Sequence, residues 1–221
     1  MNVVKSKYTV SIKKKHFYDV ILSRIIQCNY NSGDIITEKS LVDEFEVSKS
    51  PIREALIELC NEGFLKSIPR FGYEVVSFSK DNIVQLTEYR TIVECGYLET
   101  HWDSITVQNI NKLKEILQTY YDEPHKQAAL EHWEHNTEFH LTLISFFSNE
   151  FVYKQLKSAM QYLGVAYAQA YWINLHREDI ITECECHKRF IRLLEANKKI
   201  EAVECLHQDI GNFSTIEEQK N

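Results

Sequence analysis

Glycine and proline are scarce, with six and three in 221 residues. So few breakers leave little room for long loops or for a sandwich of many short strands, and they favour helices with short joints. No run of about 18 apolar residues occurs, so no segment reads as a membrane-crossing helix. The start of the chain lacks a basic segment followed by an apolar one, so export is not expected and the chain is placed in the cytoplasm. The six cysteines, Cys28, Cys60, Cys95, Cys184, Cys186 and Cys205, contain no C-x-x-C pair. They sit inside helical patterns as small apolar residues, which fits a reducing compartment. Cys184 and Cys186 project to opposite sides of a helix and make a poor chelate. The chain has no H-E-x-x-H, no G-x-S-x-G and no Gly-rich phosphate loop, the marks of several hydrolase and nucleotide-binding classes. It also lacks a surplus of positive charge: the net charge is −7, which taken alone argues against nucleic acid.

The chain does have apolar residues for real cores, 44% by a broad count, and a length that suits one large domain or two small ones. The charge is unevenly spread. Residues 1–78 hold 11 Lys and Arg against 10 Asp and Glu, a balance of +1, so the acidic surplus lies wholly in the rest. A near-neutral segment binds DNA when its positive groups cluster.

The most informative stretch is Phe45–Leu59, FEVSKSPIREALIEL. Ser48 stands at an N-cap position and Pro51 in the first turn, where its missing N–H costs nothing. Ile52, Leu56 and Leu59 recur at helical spacing and face a core. Ser48, Lys49, Ser50 and Arg53 lie at the leading end, where a helix entering the major groove meets base edges and phosphates. A capped amphipathic helix of any soluble domain has the same outline; the surroundings distinguish the two. A helical run Lys39–Phe45 precedes by a short turn, and a helix stop at Gly63 follows. Phe64–Ser67 and Tyr73–Val76 then read as two short strands around Pro69-Arg70-Phe71-Gly72. Helix, helix, hairpin is the order of a winged helix-turn-helix. Lys39, Ser48, Lys49, Ser50, Arg53, Arg70 and the wing Gly72 are its candidate DNA-binding residues.

With these residues in view, Gly33–Val75 resembles the DNA-binding domain of the GntR family of bacterial transcription regulators. The match runs through Gly33, Leu41, Val47, Ser48, Pro51, Arg53, Glu54, Ala55, Leu56, Glu62, Gly63 and Gly72. Lys49 stands where the family usually has Arg. Arg grips guanine bidentately and Lys does not, so the operator sequence is not transferable.

Residues 1–12 read as a loose arm. Lys13-Lys14-Lys15 then lead a helix with Phe17, Val20, Ile21, Ile25 and Cys28 on its apolar stripe. Val75–Lys80 is a short linker, so the domains are expected at 1–78 and 79–221. The second domain reads as six helices, near Asn82–His101, from Asp103-Ser104 to about Asp122, Lys126–Phe147, Glu150–Tyr171, Leu175–Ala196 and Lys199–Phe213. The fold class is therefore mainly α, a winged module followed by an all-helical bundle. On the first helix of the bundle, Ile83, Leu86, Tyr89, Ile92, Val93 and Tyr97 are expected to share the buried face.

This half resembles the FCD domain, the ligand-sensing half of the FadR branch of that family. Tyr89-Arg90 with Glu94, Phe139-His140-x-x-Leu143, and His187 followed by Ala196 and Ala202 carry the resemblance. Many members hold a divalent metal with an Asp and a His four apart on one helix and two His on the last two helices. The matching positions here are Asn136, His140, His187 and Asp209, so one Asp has become Asn and one His has become Asp. Two imidazoles, a carboxylate and an amide oxygen still suit zinc or nickel with open positions. His207 is a rival to Asp209, but residues two apart on a helix point about 200° apart, so both cannot face one ion. Glu183 is a spare carboxylate one turn before His187. An ordinary hydrogen-bonded polar stripe, with an organic ligand alone in the pocket, is the other reading. From the residues alone an ion pair with Glu94 one turn on accounts for Arg90; the resemblance implies that it borders the effector cavity.

Together these imply a DNA-binding regulator, a repressor by family habit, that binds a palindromic operator as a homodimer. A small organic acid in the second domain would modulate it. A metal-dependent hydrolase built on His140 and His187 is the alternative function, and an architectural DNA-binding protein without effector a third.

Overall fold

The computed structural model describes residues 15–122, 129–170 and 177–212, with side chains described for 15–119, 133–170 and 185–211. The chain forms two compact units, Met1–Phe78 and Ser79–Asn221.

The first unit opens with helix α1, residues 15–26. It buries Phe17, Tyr18, Ile21, Leu22 and Ile25, while Val20 and Cys28 stay half-buried. The basic pair before Lys15 and the arm of residues 1–12 lie outside the described residues. Strand β1 (Ile35–Ile36) comes next, then α2 (Glu38–Phe45) and α3 (Lys49–Asn61). Thr37 caps α2 through a bond from the Ser40 N–H, so this helix starts one residue earlier than the apolar pattern suggests. Glu46, in the left-handed region at φ 51°, turns the chain between the helices. Ile52, Ala55, Leu56 and Leu59 of α3 are fully buried, each large aliphatic contributing about 1.5–3 kcal/mol. Gly63, at φ 79°, ends α3.

The wing is as expected in place and larger in extent. Strands β2 (Leu65–Ile68) and β3 (Gly72–Val75) pair antiparallel, Ile68 opposite Gly72, and β1 adds to the far side of β3. The order is β1-β3-β2. A two-residue strand shows no alternation, so β1 had no signal of its own.

The second unit is helical: α4 (Lys80–Thr100), α5 (Val107–Asp122), α6 (Ala129–Ser145), α7 (Glu150–Ala170), α8 (Arg177–Glu195) and α9 (Lys199–Asn212). A 3-10 turn, Trp102–Ser104, joins α4 to α5 where the sequence suggested the next helix would open. The expected ends at Lys126, Tyr171 and Leu175 lie outside the described residues. Helix α4 packs on α7 and α9, α5 on α6 and α8, and α8 on α9. Leu98, Leu113, Phe139, Leu143, Phe190, Ala202 and Leu206 centre the core.

One expectation about α4 is corrected. Ile92 is 67% exposed, and Leu86, Tyr89, Val93 and Tyr97 are only half-buried. Ile83 is buried as expected, but the rest of the inward face is Thr87, Arg90, Glu94, Cys95 and Leu98. An apolar-periodicity argument fails here because the inward face carries an ion pair.

Candidate functional site

Two constellations stand out, one in each unit. The first lies at the leading end of α3. Ser48 has N-cap backbone geometry but its hydroxyl makes no capping bond, and it is exposed together with Lys39, Lys49 and Ser50. Ser50 Oγ donates to Glu54 Oε1 at 2.9 Å. The side chains of Lys49 and Arg53 are 61% and 54% exposed, while the apolar back of the helix is sealed. Both cations converge on one carboxylate that no local pattern singles out. Glu38 Oε2 lies 2.9 Å from Lys49 Nζ, and its Oε1 accepts from Arg53 Nε at 2.8 Å and from Tyr73 Oη at 3.0 Å. The Arg53 bond, outweighing some burial, with Lys49 and Tyr73 assisting, holds the Glu38 carboxyl at about 2. Burial and the same carboxylate push the Tyr73 phenol up to about 12.

At the wing tip Arg70 is exposed at φ 72°, and Phe71 is 72% exposed. Gly72 has a packing role besides any contact outside the chain. At φ 139° a Cβ there would fall 2.5 Å from the Ile36 carbonyl oxygen, so glycine is what lets β1 approach β3.

The second constellation is buried among the bundle helices. Of the four expected ligand positions, Asn136, His140, His187 and Asp209 are all buried, at 3%, 1%, 4% and 3% exposure. His207 faces outward, and the side chain of Glu183 lies outside the described residues. Nε2 of His140 and Nε2 of His187 each lie 3.1 Å from Oδ2 of Asp209. The His187 contact is an aligned hydrogen bond; the His140 nitrogen is at the right distance but not aligned, so the ion-pair proximity is the firmer description. One ligand atom from each of these three residues lies within 4.8 Å of the others. Asn136, one turn before His140 on α6, shares its helical face.

The groups behind this cluster fix its geometry. His140 Nδ1 sits 2.5 Å from Glu94 Oε2, and Glu94 Oε1 accepts from Arg90 Nε at 2.8 Å. An ionised carboxylate only accepts, so Nδ1 carries a proton and Nε2 is the atom turned to the cluster. The ring of His187 is stacked on Phe139, centroids 3.9 Å apart. Burial pushes His140 down, but the Glu94 carboxylate outweighs it and the ring sits at about 9. Burial raises the Glu94 carboxyl and Arg90 overrides it, leaving it below the usual range. Asp209 is likewise held low against burial by His187 and His140.

Arg90 is 1% exposed, and its pairing with Glu94 is the ion pair foreseen from the spacing. Among the described residues its Nη2 has no hydrogen-bond partner, nor do Oδ1 of Asp209 and Oγ1 of Thr87. Unpaired buried donors and acceptors are few in native proteins and each asks for an explanation. Two imidazole nitrogens, a carboxylate with a spare oxygen and a carboxylate-oriented histidine fit a divalent ion. A guanidinium with a free nitrogen fits an anion.

Among the described residues no helix is long and apolar enough to cross a membrane. Comparison with known proteins agrees with both halves. The family model described as "Bacterial regulatory proteins, gntR family" matches residues 13–75, and the FCD domain model matches residues 85–212. The Nta operon transcriptional regulator of Aminobacter aminovorans is 28% identical over 141 residues, 64% of this chain and 67% of that protein. The gluconate operon transcriptional repressor of Bacillus subtilis is 23% identical over 199 residues, 89% of this chain and 80% of its own length. Among solved structures, Escherichia coli McbR/YncC superposes with a TM-score of 0.74 at 16% identity, covering 95% of this chain and 99% of the other, a likeness of fold. These relatives are regulators and not enzymes, which removes the hydrolase alternative. The chain is a transcriptional regulator and belongs to the GntR family of bacterial regulatory proteins, with an FCD domain as its second half.

Proposed function

We propose that this regulator represses transcription as a homodimer on a two-fold operator, and that a small organic acid bound in the FCD domain controls it. Repression is carried over from the gluconate-operon relatives, which bear the name repressor. Lys39, Ser48, Lys49, Ser50, Arg53, Arg70 and Gly72 form the DNA-facing edge, with the tip of α3 in the major groove and the wing beside it. Such a protein works where the chromosome is, in the cytoplasm.

The observation that carries the sensory half is the meeting of two imidazole nitrogens on one oxygen of Asp209, with Glu94 and Arg90 behind them. His140, His187 and Asp209, with Asn136 one turn before His140, would hold a divalent ion, zinc or nickel. When bound, the ion would supply a Lewis-acidic centre for a carboxylate. His140 keeps its Nδ1 proton on Glu94 and yields only the one on Nε2 in acting as a ligand. The unpartnered Nη2 of Arg90 supplies the second handle on an effector anion. Effector binding changes operator affinity only by favouring one arrangement of the reader over another.

Metal analysis of protein purified without chelator tests the site, with an expected content near one ion per chain. Glu94→Gln should weaken metal binding by about 10–100-fold, because the orienting carboxylate behind His140 is lost. A content near zero that neither zinc nor nickel restores would leave an organic anion on Arg90 as the whole signal.

A further inference from the structure

We propose that Glu38 is a positioning residue for operator reading: it aims Lys49 and Arg53 at the DNA and withholds their charge from sequence-independent phosphate contact. The inference rests on the reading that the tip of α3 meets DNA, and it adds a residue outside that edge.

Glu38 is the first residue of α2, and its side chain is 15% exposed beneath two cations that are more than half exposed. It ties three elements together: Lys49 and Arg53 of α3 and Tyr73 of β3. The way Arg53 is held is informative. Its bond to Glu38 uses Nε, and among the described residues its two terminal nitrogens donate to nothing. Those terminal nitrogens are the fork that fits guanine or phosphate oxygens side by side. A carboxylate that grips Nε while leaving the fork outward fixes the direction of the guanidinium plane without using its recognition edge. Lys49, one turn earlier on the same face, is anchored to the other carboxylate oxygen.

Stability alone does not explain the arrangement. Ion pairs with half-exposed partners contribute little, and an acid beside a phosphate backbone repels the ligand. Both features make sense when the acid sets specificity. On arbitrary sequence, phosphate must compete with Glu38 for each cation. On the right sequence, the pre-aimed fork gains base contacts that a mobile side chain would first have to be ordered to make. The low titration point of Glu38 agrees with a carboxylate kept ionised by these partners.

The test uses full-length protein, a duplex selected by it from a random pool, and a scrambled duplex of the same length. Fluorescence anisotropy is followed across a potassium chloride series for wild type, Glu38→Gln and Arg53→Ala. For Glu38→Gln, scrambled-duplex affinity is expected to rise and its salt slope to steepen by about one unit per reader, as one opposing charge is lost. The ratio of selected to scrambled affinity should fall about tenfold or more, the discrimination that one good bidentate contact gives. An unchanged ratio and slope in Glu38→Gln, with binding lost in Arg53→Ala, overturns the proposal and leaves the DNA-facing edge standing. Undiminished binding by Arg53→Ala overturns both. Should Glu38→Gln melt below the assay temperature, Glu38→Asp decides: it keeps the charge but is one methylene too short to reach both cations. Loss of selected-duplex affinity at an unchanged salt slope supports positioning, and wild-type affinity overturns it.

Discussion

At the scale of single residues, the two constellations use one device. A carboxylate is placed behind a working group and grips the atom that is not needed outward. Glu38 takes Arg53 by Nε, and Glu94 takes His140 by Nδ1. The environments differ, and so does the consequence of removing the acid. Glu94 and Arg90 are buried, so neutralising Glu94 leaves an uncompensated charge in the core, a loss of about 3–5 kcal/mol. Glu38 sits among exposed cations, where the same change alters charge and aim more than stability. The titration of Glu38 makes this measurable. Its carboxyl is expected to titrate at about 2 against an ordinary 4.5, so its contribution to stability is present above 4.5 and fades as pH falls toward 2. Carbon-13 NMR of the Glu side-chain carboxyls reads this directly. Arg53→Ala, which deletes the largest cause of the shift, should move that resonance back up toward 4.5. A Glu38 that titrates normally in the wild type would mean that the cations are not held.

At the scale of elements, the reader was largely legible in the sequence and the centre of the bundle was not. Ser48, Pro51, the Ile52–Leu56–Leu59 spacing and Gly63 placed α3 and its neighbours, because capping, proline and glycine signals are local. Strand β1 was not legible, since two residues pair only because β3 is already there. On α4 the periodicity pointed the wrong way: Ile92 looked apolar and is exposed, while Arg90 and Glu94 looked polar and are buried. A buried ion pair is settled by partners far away in sequence, in this case His140 on α6. The metal-type trio was legible only through resemblance, because its members come from α6, α8 and α9. Glycine gives a test of what holds the wing. Gly72→Ala should pry β1 from β3 and cost about 1–3 kcal/mol, since it adds both backbone strain at positive φ and a clash with Ile36. Gly96→Ala, in the interior of α4 with nothing within 4 Å of its new Cβ, should instead stabilise by about 0.5–1 kcal/mol. Thermal unfolding of the two variants should therefore shift in opposite directions; equal shifts would mean that β1 is not held through Gly72.

At the scale of the whole molecule, charge has to be reconciled with function. A chain of net charge −7 approaches DNA against its own field unless the reader's few cations dominate locally. The candidates are Lys39, Lys49, Arg53 and Arg70, all exposed, against one acid, Glu38, set among two of them. Each neutralised phosphate contributes about −0.9 to the dependence of log affinity on log salt. Four cations on each of two readers would set a ceiling near −7, and one opposing acid per reader brings the expected slope to about −5. That figure depends on the proposed two-fold assembly, so it is measured together with stoichiometry, by anisotropy and analytical ultracentrifugation on the same duplex. Two chains per duplex with a slope of about −5 follows from the clustered reader. A slope of about −3 or shallower, or a single chain per duplex, would mean that one reader acts alone or that the four cations do not meet phosphate together. The acidic surplus carried by residues 79–221 sharpens this. It repels DNA at long range at low salt, so association should accelerate as salt first rises, before screening of the reader takes over.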